Sequence, residues 1–189
     1  MKNQPTSLLV LFSALLLSSA VAHAESARPD RAHAAVQAFA SALKGELMAA
    51  MQSGGPVAAI EVCKTRAPAI AETVSLEQDV EVYRVSLKNR NPESAPNDWQ
   101  RAVLLQFEER KAAGEDPATL AWSDTVTTSG GDEFRFMKAI PTAGLCLNCH
   151  GQTLAPAVAD KIAELYPEDQ ATGYREGDIR GAFVVIDAP

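Results

Sequence analysis

The chain has 189 residues, with 17 Lys and Arg against 24 Asp and Glu, and a formal net charge of −7 at pH 7. An acidic balance of this size argues against nucleic acid or an anionic membrane surface as the main partner. The length suits one domain of ordinary size with its own hydrophobic core.

The N-terminal segment has the three parts of a secretory signal peptide. Lys2 gives a positive start, residues 8–17 (LLVLFSALLL) form an uncharged apolar run, and Ala22-His23-Ala24 places small side chains where a signal peptidase cleaves. The run is too short for a transmembrane anchor, which needs roughly 20 apolar residues. We therefore expect residues 1–24 to be cleaved off. Residues 25–189 are then expected to form a single periplasmic domain with no stable membrane insertion.

The first part of this domain is predicted to be helical. Residues 32–52 are rich in Ala, Leu and Met, and their apolar positions recur at helical spacing. Gly54-Gly55-Pro56 is expected to end this helix. A second helix is predicted over residues 57–74. Pro68 is expected to interrupt it, because proline lacks the N–H that an interior helical position donates.

Strands and shorter helices are predicted along the rest of the chain. Alternating or β-branched segments indicate strands at residues 80–87, 121–128, 133–140 and 178–186. Helices are predicted at residues 99–113, capped by Asn97 or Asp98, and at residues 156–165, which begin on a proline. Helices and strands do not alternate as a parallel sheet requires. We therefore predict an α+β fold in which helices, including N-terminal ones, flank a small antiparallel sheet.

One motif carries the chemistry. Cys146-Leu147-Asn148-Cys149-His150 has the C-x-x-C-H pattern of c-type haem attachment. Two thiols three positions apart on a helical turn can reach the two vinyl groups of one porphyrin, and the adjacent imidazole can then bind the iron. A thioredoxin-like thiol pair would not explain the histidine, and a structural zinc site needs four closed ligands. The motif predicts one covalently bound haem c.

The residues leave the second axial ligand of such an iron open. A His or Met ligand would suit a conventional electron-transfer cytochrome, and the predicted domain offers His33, Met48 and Met51 besides Met137. The usual role of such methionines is core packing. Cys63 is the one cysteine outside the motif. It can be a small buried hydrophobe, or a thiol that metal coordination protects from oxidation in an exported protein.

Several segments, in order along the chain, resemble the PAS-like monohaem c-type domain, a family first catalogued as a domain of unknown function. They are residues 58–71 (AAIEVCKTRAPAIA), 84–92 (RVSLKNRNP), 134–140 (FRFMKAI), 146–151 (CLNCHG) and 177–184 (GDIRGAFV). The resemblance covers nearly all of the predicted domain. Members of that family occur as standalone exported proteins and as the sensory module of histidine kinases.

The resemblance implies a PAS-like fold and an iron held by a histidine and a cysteine. Carried over to this sequence, His150 is the proximal ligand and Cys63 the second axial ligand. A thiolate ligand stabilises ferric iron and lowers the reduction potential. The resemblance therefore favours a low-potential redox protein or redox sensor with an unidentified periplasmic redox or signalling partner. A conventional electron carrier is the alternative. A peroxidase-like or gas-binding protein fits less well, because both axial positions would be filled, and we predict no catalytic residues.

A basic cluster near the end of the first strand has two interpretations. Arg84, Lys88 and Arg90 can be solvated charges, as most such residues are. Alternatively, Arg84 or Arg90 can bind the haem propionates, because the planar guanidinium matches a carboxylate. We expect Arg84 and Arg90 to be cofactor-binding residues.

Overall fold

The computed structural model describes residues 9–189, with side chains from residue 27 onward. The predicted signal peptide, residues 1–24, lies outside the fully described residues. Within the part of the chain that is described, no helix combines the length and apolar character needed to cross a bilayer.

Four strands form one antiparallel sheet. They are β1 (Glu81–Val85), β2 (Ala121–Thr128), β3 (Gly131–Pro141) and β4 (Ile179–Asp187). Their order in space is β1-β4-β3-β2, so the last strand of the chain lies beside the first. The predicted α+β fold with an antiparallel sheet is confirmed, and it is consistent with the PAS-like arrangement that the resemblance implied.

The two central strands bury side chains on both faces of the sheet. Successive side chains of a strand point to opposite faces. Phe136 and Val185, which are paired across β3 and β4, therefore pack on one face, and the next pair, Met137 and Val184, packs on the other. The helix α2 (Asp98–Ala112) covers the second face with its own apolar side chains, Val103, Leu104 and Phe107.

The first face is covered by α1 (Leu9–Gln78), which contains a sharp break at Gly55 (φ 70°, ψ −163°). Only glycine adopts such a conformation readily. The predicted end of the first helix is therefore confirmed. We call residues 27–54 the first arm and residues 56–78 the second arm. The arms fold back on each other, and an ion pair of 2.8 Å joins Glu46 of the first arm to Arg66 of the second.

The expected interruption at Pro68 is wrong. The second arm stays helical through this residue, and the non-helical backbone angles within the described part of α1 are those of Gly55, before the arm begins. Proline's fixed φ is itself compatible with a helix, so only one hydrogen bond and local packing are lost. Burial of Ala67, Ile70 and Val74 against the sheet offsets that loss.

The remaining helices lie where the sequence predicts them. Asn97 caps α2 in a reciprocal capping box with Gln100. The C-x-x-C-H motif forms a 3₁₀ turn (Gly144–Cys146) followed by the single turn α3 (Leu147–His150). Helix α4 (Pro156–Leu165) then packs against the second arm through Val158 and Ile162.

Candidate functional site

A cavity of about 530 Å³ lies between α1, strand β1 and the C-x-x-C-H motif. Its size is in the range of pockets that enclose a small molecule or cofactor. All six residues expected from the sequence to bind a cofactor line it, namely Cys63, Arg84, Arg90, Cys146, Cys149 and His150. Residues separated by almost 90 positions in the chain thus share one cavity.

The local structure of the motif turns its cysteines toward this cavity. Cys146 and Cys149 are one helical turn apart, both partly buried, and both line the cavity. The turn ends at Gly151, whose N–H donates to the Leu147 carbonyl at 3.0 Å. A Cβ at Gly151 would lie only 2.6 Å from that carbonyl oxygen, so a glycine is required there. Burial raises the pKa of the Cys149 thiol.

His150 is held with one ring nitrogen bound and the other facing Arg180. Its Nδ1–H donates to the Ala171 carbonyl at 2.7 Å, which leaves Nε2 as the nitrogen with a lone pair. Burial, together with the positive charges of Arg180 and Arg90, lowers the pKa of His150 to about 2. The imidazole is therefore neutral. A backbone carbonyl on Nδ1 is the arrangement that orients a metal-binding histidine.

Residues 169–174, which we call the clasp, form hydrogen bonds with the backbone of the motif and of the residue that follows it. The clasp N–H groups of Gly173 and Tyr174 donate to the carbonyls of Gly151 and His150, at 2.9 and 3.0 Å. The clasp also provides the Ala171 carbonyl for His150. The imidazole orientation therefore depends on a segment about 20 residues further along the chain.

Arg90 connects the clasp to the motif. Its guanidinium pairs with Asp169, with Nε at 3.0 Å from one carboxylate oxygen, and both side chains are more than 90% buried. It also donates to the Cys149 carbonyl at 2.7 Å and to the Ala171 carbonyl. Arg90 thus lines the cavity as predicted, but protein groups already bind its guanidinium.

Arg84 differs from Arg90 in having no carboxylate partner among the described residues. It lies in β1 with its guanidinium 5.5 Å from the Phe39 ring centroid. Burial lowers its pKa, and the groups whose charges oppose this are Cys63 and Tyr166 rather than any carboxylate of the described residues. Arg84 is therefore a cation at the cavity wall without an acidic partner.

The candidates for a second axial ligand divide into residues that line the cavity and residues that do not. Cys63 on the second arm and Met51 on the first arm both line the cavity. Met48 and Met137 are absent from its lining, and Met137 is fully buried beneath α2. His33 packs edge-on against Phe136, with ring centroids 4.7 Å apart, on the sheet face under α1.

Sequence reasoning missed two residues of the site. Arg180, at the start of β4, donates from Nη1 to the Ser86 hydroxyl at 3.0 Å, and its Nε lies 3.4 Å from Nε2 of His150. Tyr166, which follows α4, contributes a buried side chain to the cavity. Arg180 stands within the segment GDIRGAFV, where a lone arginine before a glycine and an apolar strand could have indicated an inward-facing charge.

Gly181, next to Arg180, explains how closely β4 approaches β1 at the cavity. A Cβ on this residue would overlap the Val85 carbonyl oxygen and press on the Ser86 side chain. Only glycine therefore allows the strands to pair here while Arg180 and Ser86 are in hydrogen-bond contact.

Fold and site together define an α+β domain in which a partly open cavity lies beside a C-x-x-C-H motif. A protein-family model described as Tll0287-like matches residues 15–187, and the chain belongs to this family. The crystal structure of the cyanobacterial heme-protein Tll0287 is similar to it, with 28% sequence identity and a TM-score of 0.50. The similarity covers 64% of this chain and 68% of that one. No curated protein matches the chain.

Proposed function

We propose that this chain is a monohaem c-type protein, with thioether bonds from Cys146 and Cys149 and with His150 as an iron ligand. The observation that carries the proposal is that one cavity brings together both motif thiols, a neutral imidazole with its Nδ1 bound, and a third thiol. Membership of the Tll0287-like family and similarity to a protein described as a heme-protein support it.

The residues of the cavity suit such a cofactor. Its wall is apolar where the arms contribute Phe39, Leu43 and Ile60, and basic where β1 and β4 contribute Arg84 and Arg180. A porphyrin has an apolar ring and two carboxylates, so it needs both kinds of wall. The cofactor would supply a one-electron ferric–ferrous couple.

We further propose that Cys63 is the second axial ligand. It faces the cavity from the second arm, and its position matches the family motif that predicts this role. A thiolate stabilises the ferric state, so the potential would be low. This ligand set favours a periplasmic redox sensor or low-potential redox protein over an enzyme, because both axial positions are then filled by protein groups.

Met51 supports a second candidate function. It is the methionine of the described residues that lines the cavity, and a His/Met pair would raise the potential into the range of conventional electron carriers. The ligand set therefore separates the two functions.

The test is expression of the full chain in a strain with cytochrome c maturation, followed by denaturing mass spectrometry. We expect one haem to be added per chain. The double variant Cys146→Ser/Cys149→Ser should lose it, whereas Cys63→Ser should keep it. A wild-type mass equal to the bare polypeptide would refute the proposal. Absorption and EPR spectra of the oxidised holoprotein then report the axial ligands and the spin state.

A further inference from the structure

Arg180 is a partly buried cation whose partners inside the protein are neutral. Its Nη1 donates to the Ser86 hydroxyl at 3.0 Å and to the Lys88 carbonyl at 3.3 Å. Its guanidinium carbon lies 5.5 Å from the Tyr174 ring centroid, and its Nε approaches Nε2 of His150 at 3.4 Å. Among the described residues, no carboxylate forms an ion pair with it.

Three guanidiniums line the cavity, those of Arg84, Arg90 and Arg180, together with the exposed carboxylates of Glu81 and Glu93. Asp169 pairs with Arg90, whereas no carboxylate of the described residues forms an ion pair with Arg84 or Arg180. Burial lowers the pKa of Arg180, and the positive charges of Arg90 and Arg84 lower it further. Buried charges without ion-pair partners are costly, so the unpaired guanidiniums of Arg84 and Arg180 favour a ligand that carries negative groups.

We propose that Arg180 binds one carboxylate of the porphyrin, as a cofactor anchor distinct from Arg84. This inference rests on the proposed haem function and deepens it by adding a residue that neither the motif nor the basic cluster near β1 indicated. A guanidinium can donate two parallel hydrogen bonds to a carboxylate. In Arg180, Ser86 and Lys88 occupy Nη1, so the other nitrogens of the guanidinium remain for this interaction.

The contact with His150 makes the role conditional on metal binding. Nε2 accepts from Arg180 only while its lone pair is free, since a nitrogen that binds a metal cannot also accept a hydrogen bond. If Nε2 of His150 bound a metal, Nε of Arg180 would lose this acceptor, and a porphyrin carboxylate would be available to replace it. Gly181 and the hydrogen bond to Ser86 keep the arginine backbone and stem at the cavity wall during this exchange.

A purely structural role for Arg180, as a strap between β4 and residues 86–88, is the competing explanation. It predicts loss of stability when the arginine is replaced, with no change in the environment of the porphyrin carboxylates. The experiment therefore has to measure the carboxylates themselves in the holoprotein.

We suggest resonance Raman spectra and midpoint potentials of holoprotein carrying Arg180→Gln, Arg180→Lys or Arg180→Ala. Exposed Arg175, five residues earlier, supplies the matched control Arg175→Gln. We expect Arg180→Gln to shift the propionate bending mode and to lower the midpoint potential, because a positive charge that stabilises the reduced state is lost. Arg180→Lys should shift the bending mode with a smaller fall in potential, and the control should change neither.

An unchanged bending mode and potential in Arg180→Gln holoprotein would overturn the proposal. If neither neutral variant matures, Arg180→Lys carries the test, and an unchanged bending mode there would have the same meaning. Failure of the haem proposal itself is recognised separately, because the wild-type chain would then have no added haem mass.

Discussion

Cys63 is the residue whose role decides the function. It lies on the second arm and lines the same cavity as the motif, with the side chains of Arg84 and Tyr166 close to it. Cys63 is only partly buried, so its thiol is accessible from the cavity rather than enclosed in the core.

Replacing Cys63 with Ser should convert a low-spin ferric haem to high-spin or to a new ligand set and should raise the midpoint potential, because an electron-donating thiolate is lost. Absorption, EPR and potentiometry of the holoprotein measure both effects. Met51→Leu is the matched control and should leave the spectrum unchanged. The opposite result, with Met51→Leu altering the spectrum and Cys63→Ser leaving it intact, would establish the electron-carrier alternative.

Arg84 should set the potential through its charge. In Arg84→Ala we expect a lower midpoint potential, because the lost cation stabilises the more negative reduced state. The exposed Arg101 on α2 provides the control Arg101→Ala, which should leave the potential within error. Equal potentials in Arg84→Ala and the wild type would show that this arginine does not interact with a porphyrin carboxylate.

The same experiment has a different meaning at Arg90. Its guanidinium is bound to Asp169 and to the Cys149 carbonyl, so Arg90→Ala would disturb the motif before it changed any contact with a cofactor. The expectation that Arg90 binds a propionate stays a prediction. Its partners make it first a residue that fixes the motif.

Among the secondary-structure elements, the clasp has the least regular structure and the most direct effect on the site. It has neither helix nor strand of its own beyond one isolated bridge from Gly151 to Tyr174. It nevertheless binds the motif through backbone hydrogen bonds and through the Asp169–Arg90 ion pair. Its stability therefore depends on that buried pair.

Asp169→Ala should reduce the free energy of unfolding by about 3–5 kcal/mol, because it leaves Arg90 as a buried charge without a partner. Urea unfolding followed by far-UV circular dichroism measures this difference. The exposed pair between Glu46 and Arg66 provides the comparison, and Glu46→Ala should cost much less than Asp169→Ala, because solvent screens the exposed pair. Similar losses in the two variants would mean that the clasp is not held by its ion pair.

Regular elements were predictable from the sequence, and contacts between distant segments were not. The bounds of β2 and α4 agree with the prediction, since alternation and an initial proline are local signals. Pro68 was assigned the wrong effect, because burial of its helix against the sheet is a tertiary contribution that no local pattern contains.

The site residues divide in the same way, into those with a local sequence pattern and those placed by contacts between distant segments. The C-x-x-C-H motif has a fixed local spacing, so its residues were recognised directly, and Cys63 required resemblance to a family. Arg180 carried only the weak local signal of a lone arginine before a glycine and an apolar strand, because its position beside His150 arises from the pairing of β4 with β3 and from the clasp. Arg84 and Arg90 look alike in sequence, and only the structure separates them, through Asp169.

At the scale of the whole molecule, the fold brings a helical hairpin and a cysteine motif together at one cavity. The second arm contributes Cys63 and the motif contributes His150, from segments that the sheet brings together. Neither segment provides the site alone, so cofactor binding should stabilise the whole domain rather than one element.

The proposed cofactor requires export of the chain, because its thioether bonds would form after transport to the periplasm. The pattern in residues 1–24 predicts cleavage after Ala24, so the mature protein should begin at Glu25. Mass spectrometry of the periplasmic fraction should give the mass of residues 25–189 plus one haem. Ala24→Phe should abolish cleavage, because the peptidase requires a small side chain there, whereas Ser26→Phe should be processed normally. Holoprotein that keeps residues 1–24 in the wild type would contradict the predicted signal peptide and would leave the haem proposal intact.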